Sequence, residues 1–158
     1  MVRIAIGQKA PELELPDSQG QIFKLSEQKG RFVVLFFYPM DGSMICTAEN
    51  ICVTRNFDDF EALGAIVVGI SGGDGESKEK FRQRHALKQR LLVDAGRKAA
   101  AEWGAMTLGF IPGRATFIID KDGIVRARHS GMFESSAHIE FALKELRRLA
   151  ALSELGDS

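Results

Sequence analysis

The sequence has little of what marks a secreted, membrane-bound or nucleic-acid-binding protein. Its two cysteines among 158 residues are too few for the disulfide framework of a small secreted domain. No apolar run approaches the roughly 20 residues of a membrane-spanning helix, and the N-terminus lacks a signal-peptide pattern. Lys and Arg (21) equal Asp and Glu (21), so the basic excess of a nucleic-acid-binding protein is absent. We therefore expect a cytoplasmic protein that binds neither membranes nor nucleic acids.

Patterns that bind metals or cofactors are also missing. The three histidines, His85, His129 and His138, are scattered along the chain, and we expect each of them at the surface. The two cysteines are six residues apart, which is not a spacing of zinc ligands. The sequence therefore predicts neither a metal nor an organic cofactor.

Strand patterns occur in both halves of the chain. Alternating residues at 12–25 predict an N-terminal β-hairpin. Continuous apolar runs at 31–38 and 65–71 predict strands that are covered on both faces. A short strand at 91–93 and a late hairpin that turns at Asp122-Gly123 complete the set.

Helix patterns alternate with these strands. Four helices are expected, at 43–63 with Gly64 as the stop, at 77–87 with Ser77 as the cap, at 98–103 and at 136–152. Residues 104–113 are expected to form a loop. The order predicts an α/β fold in one domain over residues 1–158, with a mixed central sheet and helices on both faces. The thioredoxin fold is one member of that class.

Cys46 stands where a buried strand leads through a Pro/Gly turn into a helix. The turn reads YPMDGSMIC from Tyr38 to Cys46. If Ser43 caps the helix, Cys46 is its third residue, where unpaired N–H groups and the helix dipole favour a thiolate. The thiolate is the reactive form of cysteine. We therefore predict that Cys46 is a nucleophile, although a free buried cysteine is often only a small apolar side chain.

Cys52 falls on another face of the same predicted helix. On a helical projection Cys46 shares the stripe of Val53, Phe57 and Phe60, and Cys52 lies about 120° away. Six residues also give about 9 Å of rise, so the two Cα atoms are roughly 10 Å apart. A disulfide spans at most about 7 Å between Cα atoms. The pair can therefore close only if the first turns of the helix unwind.

The segment from Pro39 to Cys46 resembles the Pro-x-x-x-Thr/Ser-x-x-Cys signature of peroxiredoxins. Almost the whole chain is similar to the bacterioferritin-comigratory protein or peroxiredoxin Q subfamily, including the block at 113–120 that begins Gly-Arg-Ala-Thr-Phe. The resemblance implies a thioredoxin-like fold and a thiol-dependent peroxidase that reduces hydrogen peroxide and organic hydroperoxides. It also implies thioredoxin or a similar dithiol as reductant, and a monomer or weak homodimer.

The resemblance assigns a role to each matching residue. Cys46 is similar to the peroxidatic cysteine, which becomes a sulfenic acid. Ser43 matches the hydroxyl residue that holds the peroxide, and Pro39 matches the proline that shields the thiolate from water. Arg114 matches the arginine that favours the thiolate and polarises the O–O bond, and a guanidinium suits this role because it is always charged and forks toward two atoms.

Two positions depart from the pattern of the subfamily. Ser43 stands where threonine is usual, and Cys52 follows Cys46 by six residues instead of five. We expect the extra residue, Asn50 or Ile51, to be absorbed as a π-bulge. The resemblance implies that Cys52 resolves the sulfenic acid as an intramolecular disulfide.

Other functions stay open at this point. Without a resolving Cys52 the chain would be a one-cysteine peroxidase that an external thiol reduces. A peroxide sensor or holdase would use the oxidised, unwound helix to recruit partners. A thioredoxin-type disulfide oxidoreductase would need a Cys-x-x-Cys motif, which the sequence lacks.

Overall fold

The computed structural model describes residues 4–107, 111–131 and 135–156, which fold into strands and helices in the order expected for an α/β protein. The strands are β1 (Glu14–Pro16), β2 (Ile22–Lys24), β3 (Phe32–Phe37), β4 (Ala65–Ser71), β5 (Arg90–Val93), β6 (Met106–Thr107), β7 (Ile111–Pro112), β8 (Ala115–Ile119) and β9 (Val125–Ser130). The helices are α1 (Met44–Arg55), α2 (Phe57–Ala62), α3 (Gly75–Arg84), α4 (Lys98–Glu102) and α5 (Ser135–Gly156).

A five-stranded mixed sheet forms the centre of the fold. Its strands lie in the order β5-β4-β3-β8-β9. β4 pairs in parallel with β3 and β5, whereas β8 runs antiparallel to β3 and β9. All residues of β3 are buried, because this central strand is covered on both faces. The mixed central sheet predicted from the sequence is confirmed, as is the N-terminal hairpin of β1 and β2.

Alternate side chains of β3 enter two separate cores. Val33, Leu35 and Phe37 pack on one face together with the N-terminal hairpin and Trp103, which directly follows α4. Phe32, Val34 and Phe36 pack on the other face, where α1, α2 and α5 contribute the buried residues Cys46, Val53, Phe60, Ile139 and Leu146. Helices therefore cover both faces, and α1 brings Cys46 into the second core.

The helix predicted at 43–63 is interrupted at Asn56. α1 ends at Arg55 and α2 begins at Phe57, with the backbone of Asn56 between them at φ −102° and ψ 10°. The side-chain Nδ2 of Asn56 donates to the carbonyl oxygen of Cys52 at 2.8 Å, a local bond that competes with helix continuation. α1 is α-helical through Asn50 and Ile51, so the predicted π-bulge is wrong.

Other differences concern the ends of elements. Asp74, and not Ser77, caps α3, because its carboxylate accepts the N–H of Ser77 at 2.8 Å. The expected loop at 104–113 contains the short antiparallel pair of β6 and β7, with residues 108–110 outside the described part.

Candidate active site

The turn that leads from β3 into α1 places Ser43 over the first turn of the helix. Pro39, which is partly buried, opens the turn. Gly42 has φ +87°, a left-handed conformation that glycine adopts at little cost. Ser43 is the N-cap, and its Oγ accepts the backbone N–H of Cys46 at 3.1 Å. Cys46 is therefore the third residue of the helix, as predicted.

A buried ionic network fastens this turn to β4 and α3. The carboxylate of Asp41 accepts the hydroxyl of Tyr38 at 2.6 Å and the ammonium of Lys78 at 2.8 Å. Lys78 is fully buried and also donates to the hydroxyl of Ser71. Burial lowers the pKa of Lys78 against the opposing charge of Asp41, and burial and Asp41 raise the pKa of Tyr38 well above its usual value. These groups, which the sequence did not identify, thus hold the turn against β4 and α3.

Arg114 meets Cys46 because of the register between β3 and β8. Phe37 pairs with Ala115 in the antiparallel ladder, so Arg114 enters the sheet beside the residue that begins the turn. Its Nη2 donates to the Sγ of Cys46 at 3.3 Å, and both side chains are buried. A Cβ at the preceding Gly113 would lie 2.7 Å from the backbone oxygen of Ala105, so only glycine fits this approach. The structure therefore brings Cys46, Ser43 and Arg114 together.

Glu49 belongs to the same cluster and was missed in the sequence. Its Oε1 lies 2.8 Å from Nη1 of Arg114, and its side chain is completely buried. Burial raises the pKa of Glu49 to about 7, against the opposing effect of Arg114. One signal was available, since Glu49 follows Cys46 by three residues and so faces the same side of the helix.

His138 is fully buried, so the prediction of a surface residue is wrong for this histidine. Its Nε2 is 3.0 Å from the carbonyl oxygen of Gly131, and its Nδ1 is 2.8 Å from the hydroxyl of Thr116. A carbonyl can only accept, so Nε2 carries the hydrogen and Nδ1 accepts from Thr116. Desolvation by burial lowers the pKa of His138 to about 4. The backbone N–H of Gly131 in turn donates to the carbonyl of Arg114 at 3.3 Å.

Cys52 lies on the flank of α1, partly buried, as the helical projection predicted. Val53 and Phe60 on the neighbouring stripe are buried, and Phe57 is partly buried. Cys46 and Cys52 are both free thiols in an unbroken helix. Burial raises the pKa of Cys52, an effect that the nearby Arg55 opposes and Glu49 reinforces.

Comparison with known proteins places this geometry in a family. Residues 6–128 match the AhpC/TSA family. Peroxiredoxin Q of Oryza sativa subsp. japonica, a chloroplastic protein, is 38% identical over 149 residues, which cover 93% of this chain and 69% of the rice protein. The chloroplastic peroxiredoxin Q of Suaeda salsa is 35% identical over 151 residues, or 94% and 71% of the two chains.

Two solved structures are also similar to this chain. The crystal structure of peroxidoxin BcpB from Mycobacterium tuberculosis is similar with a TM-score of 0.84 and 34% identity, covering 92% of this chain and 97% of that one. A PrxQ variant from Xylella fastidiosa has a TM-score of 0.85 over 93% and 98% of the chains, but at 21% identity it supports only the fold.

The fold and the similarity to these proteins thus define a thiol-dependent peroxidase with a thioredoxin-like fold. The chain belongs to the AhpC/TSA family and, within it, to the peroxiredoxins of the peroxiredoxin Q or bacterioferritin-comigratory type.

Proposed function

We propose that Cys46 is the residue of this peroxidase that attacks the peroxide. The observation that carries the proposal is the guanidinium of Arg114, which lies 3.3 Å from the Sγ of Cys46 at the N-terminus of α1. A permanent positive charge and the positive end of the helix dipole both stabilise the thiolate over the thiol. Burial of both groups strengthens this interaction, because little water screens it.

The reaction that these groups support is a displacement at oxygen. The thiolate attacks one oxygen of a hydroperoxide, the O–O bond breaks, and the leaving oxygen takes up a proton to become water or an alcohol. The sulfur loses two electrons and becomes a sulfenic acid. Negative charge grows on the leaving oxygen, where a fixed donor such as Arg114 lowers the barrier.

Ser43 and Pro39 complete the proposed site. The Oγ of Ser43 accepts the N–H of Cys46, so its own hydrogen can point to a peroxide oxygen. Pro39, at the start of the turn, is proposed to shield the thiolate from water. Proline has no backbone N–H, so it offers the anion no hydrogen-bond donor.

Cys52 is proposed to resolve the sulfenic acid. Its thiolate would attack the sulfur of Cys46 and form an intramolecular disulfide, for which α1 must unwind.

The family uses a thiol reductant, and we propose thioredoxin or a similar dithiol for this chain. We also propose that the chain acts as a monomer or weak homodimer of one domain. Within the described residues no helix is long and apolar enough to cross a membrane. The cytoplasmic location stays a prediction.

The test compares the wild-type protein with Cys46→Ser and Cys52→Ser. Peroxide consumption is measured with a monothiol and separately with thioredoxin, and the oxidised peptides are mapped by mass. Loss of the nucleophile should reduce the rate at least about a thousandfold with either reductant. Cys52→Ser should keep the monothiol rate, lose the thioredoxin rate and form no intramolecular disulfide.

Three outcomes would contradict the proposal. Full activity of Cys46→Ser would remove Cys46 from the reaction. A wild-type sulfenic acid that persists without an intramolecular disulfide would remove Cys52, and the chain would then act as a one-cysteine peroxidase. Capture of partners that depends on oxidation of Cys46, with negligible turnover, would instead indicate a sensor or holdase.

A further inference from the structure

A buried side chain outside the active site fastens α1 on both sides of Cys52. Gln89, directly before β5, is 1% exposed. Its Nε2 donates to the backbone oxygen of Asn50 at 3.0 Å and to the side-chain Oδ1 of Asn50 at 3.1 Å. Its Oε1 accepts the hydroxyl of Thr54 at 2.6 Å. We call Asn50, Thr54 and Gln89 the clasp.

The clasp is connected directly to the peroxidatic residue. The Nδ2 of Asn50 donates to the carbonyl oxygen of Cys46 at 2.9 Å, so hydrogen bonds run from Cys46 through Asn50 to Gln89. On the other side of Cys52, the Oγ1 of Thr54 accepts the N–H of Lys88 at 3.2 Å. Both flanks of Cys52 are thus tied to the segment that leads into β5.

This segment is anchored to the central sheet and to α3. β5 lies at the edge of the central sheet and pairs in parallel with β4. Leu87 and Leu91, on either side of Gln89, are buried together with Phe81 of α3, and Ile51 of α1 packs against them. Gln89 therefore attaches α1 to the central sheet and to α3.

We propose that Gln89 is a positioning residue that sets how fast α1 opens for disulfide formation. The proposal rests on the proposed resolving role of Cys52. In that step the Cys52 thiolate attacks the sulfur of the Cys46 sulfenic acid. The S–S bond forms and the S–O bond breaks. The expelled hydroxide combines with the proton released by Cys52 to form water. Residues six apart in an intact helix are about 9 Å apart along the axis, so the clasp must open first.

The clasp also affects the fate of the Cys46 sulfenic acid before it reacts with Cys52. While α1 is closed, Cys46 remains in the peroxide site, where a second peroxide can oxidise it to the sulfinic acid. Opening removes the sulfur from this site and delivers it to Cys52. A weaker clasp therefore favours the disulfide over the sulfinic acid.

The test uses Gln89→Met, which keeps the length of the side chain and removes its amide. Sulfenic acid formation and disulfide formation are followed separately by rapid quenching with an alkylating reagent and mass analysis. The first rate should stay within about twofold of wild type, and the second should rise about tenfold, equivalent to about 1.4 kcal/mol, the scale of a lost buried hydrogen bond. The yield of sulfinic acid at a given peroxide dose should fall. Thr54→Val removes the bond to Gln89 and the bond from Lys88 but keeps the two bonds from Gln89 to Asn50, and should give a smaller rise, about threefold.

Gln28→Met is the matched control. Gln28 lies in the short turn after β2, where its Nε2 donates to the backbone oxygen of Lys24 at 3.1 Å, away from α1. This variant should leave both rates unchanged. An equal acceleration in Gln28→Met would overturn the proposal, because the effect would then be general destabilisation.

Hydrogen exchange of the reduced protein separates this proposal from the role of Cys52. Amides at 46–55 should exchange about tenfold faster in Gln89→Met than in wild type, whereas those of β8 should not change. If wild type forms no intramolecular disulfide, the resolving role fails, and faster exchange still supports the clasp. Unchanged exchange at 46–55 overturns the clasp whether or not the disulfide forms.

Discussion

Cys46 and Cys52 lie on one helix of 12 residues, and their surroundings differ. Cys46 is 1% exposed, its N–H is capped by Ser43 and its sulfur receives Arg114. Cys52 is only partly buried, and its Sγ is 3.7 Å from the Nδ2 of Asn56, a long contact for a weak acceptor. One sulfur is thus fixed by charge and hydrogen bonds, and the other is held mainly by the helix itself. This difference suits the proposed roles, in which Cys46 must be held for attack on the peroxide and Cys52 reacts only after α1 opens.

The largest expected effect comes from replacing the guanidinium of Arg114, which contacts two groups at once. Arg114→Lys keeps a positive charge but cannot contact both the Sγ of Cys46 and the carboxylate of Glu49, which Arg114 reaches at 3.3 Å and 2.8 Å. We expect the rate of sulfenic acid formation to fall about 10²- to 10³-fold, the cost of one preorganised donor. Rapid-quench kinetics measure this rate.

Arg126→Lys is the control for that variant. Arg126 is exposed on β9 and pairs with Asp120, so its replacement should leave the rate within about twofold. If Arg114→Lys also stays within about tenfold of wild type, Cys46 does not depend on the contact that distinguishes it from Cys52.

Two buried groups, Glu49 and His138, differ in how their protons respond to pH. Between about pH 4.5 and 7, Glu49 keeps a proton that the unfolded chain has lost, so it lowers stability as the pH rises. Between pH 6.5 and about 4, His138 stays neutral while the unfolded chain binds a proton, so it lowers stability as the pH falls. Each effect amounts to at most about 3 to 4 kcal/mol.

Urea unfolding from pH 4 to 8 separates these two contributions. Relative to wild type, Glu49→Gln should gain stability with rising pH up to about 7, and His138→Gln should gain stability with falling pH from 6.5. Each variant is the control for the other, because a general effect of removing a buried ionisable group would have the same sign in both. Parallel curves for wild type and Glu49→Gln would show that Glu49 has the same pKa folded and unfolded.

The smallest expected effect comes from the cap. Ser43→Ala removes the acceptor of the Cys46 N–H and should cost about 1 kcal/mol of stability. Sulfenic acid formation should fall about tenfold, because the hydroxyl proposed to hold the peroxide is lost too. Ser43→Thr keeps both functions and should restore the rate. A rate that Ser43→Ala leaves unchanged would limit Ser43 to capping.

Local sequence patterns predicted the parts of this site that depend on neighbours in the chain. The apolar run at 32–37, the turn with Gly42, and Ser43 before Cys46 are local signals, and the structure confirms each of them. Asp74 illustrates the limit of such signals, since Ser77 was an equally acceptable cap and only the backbone geometry decides between them.

The buried charges could not be predicted in the same way. Glu49 and Lys78 look like exposed helix residues, because charged side chains are almost never fully buried unless they are paired. Their partners, Arg114 and Asp41, are 65 and 37 positions away in the chain, so only the folded sheet brings each pair together. His138 is similar, since its burial depends on Thr116 in β8 and on the carbonyl of Gly131.

The break at Asn56 determines how far a local loss of order can spread. Helices of about 12 residues are marginal in isolation, so α1 has little stability without its tertiary contacts. α2 begins anew at Phe57 and keeps Phe60 in the core through its own packing. In the opening proposed above, we therefore expect the unit that unwinds to end at Asn56, while α2 and the rest of the domain stay folded.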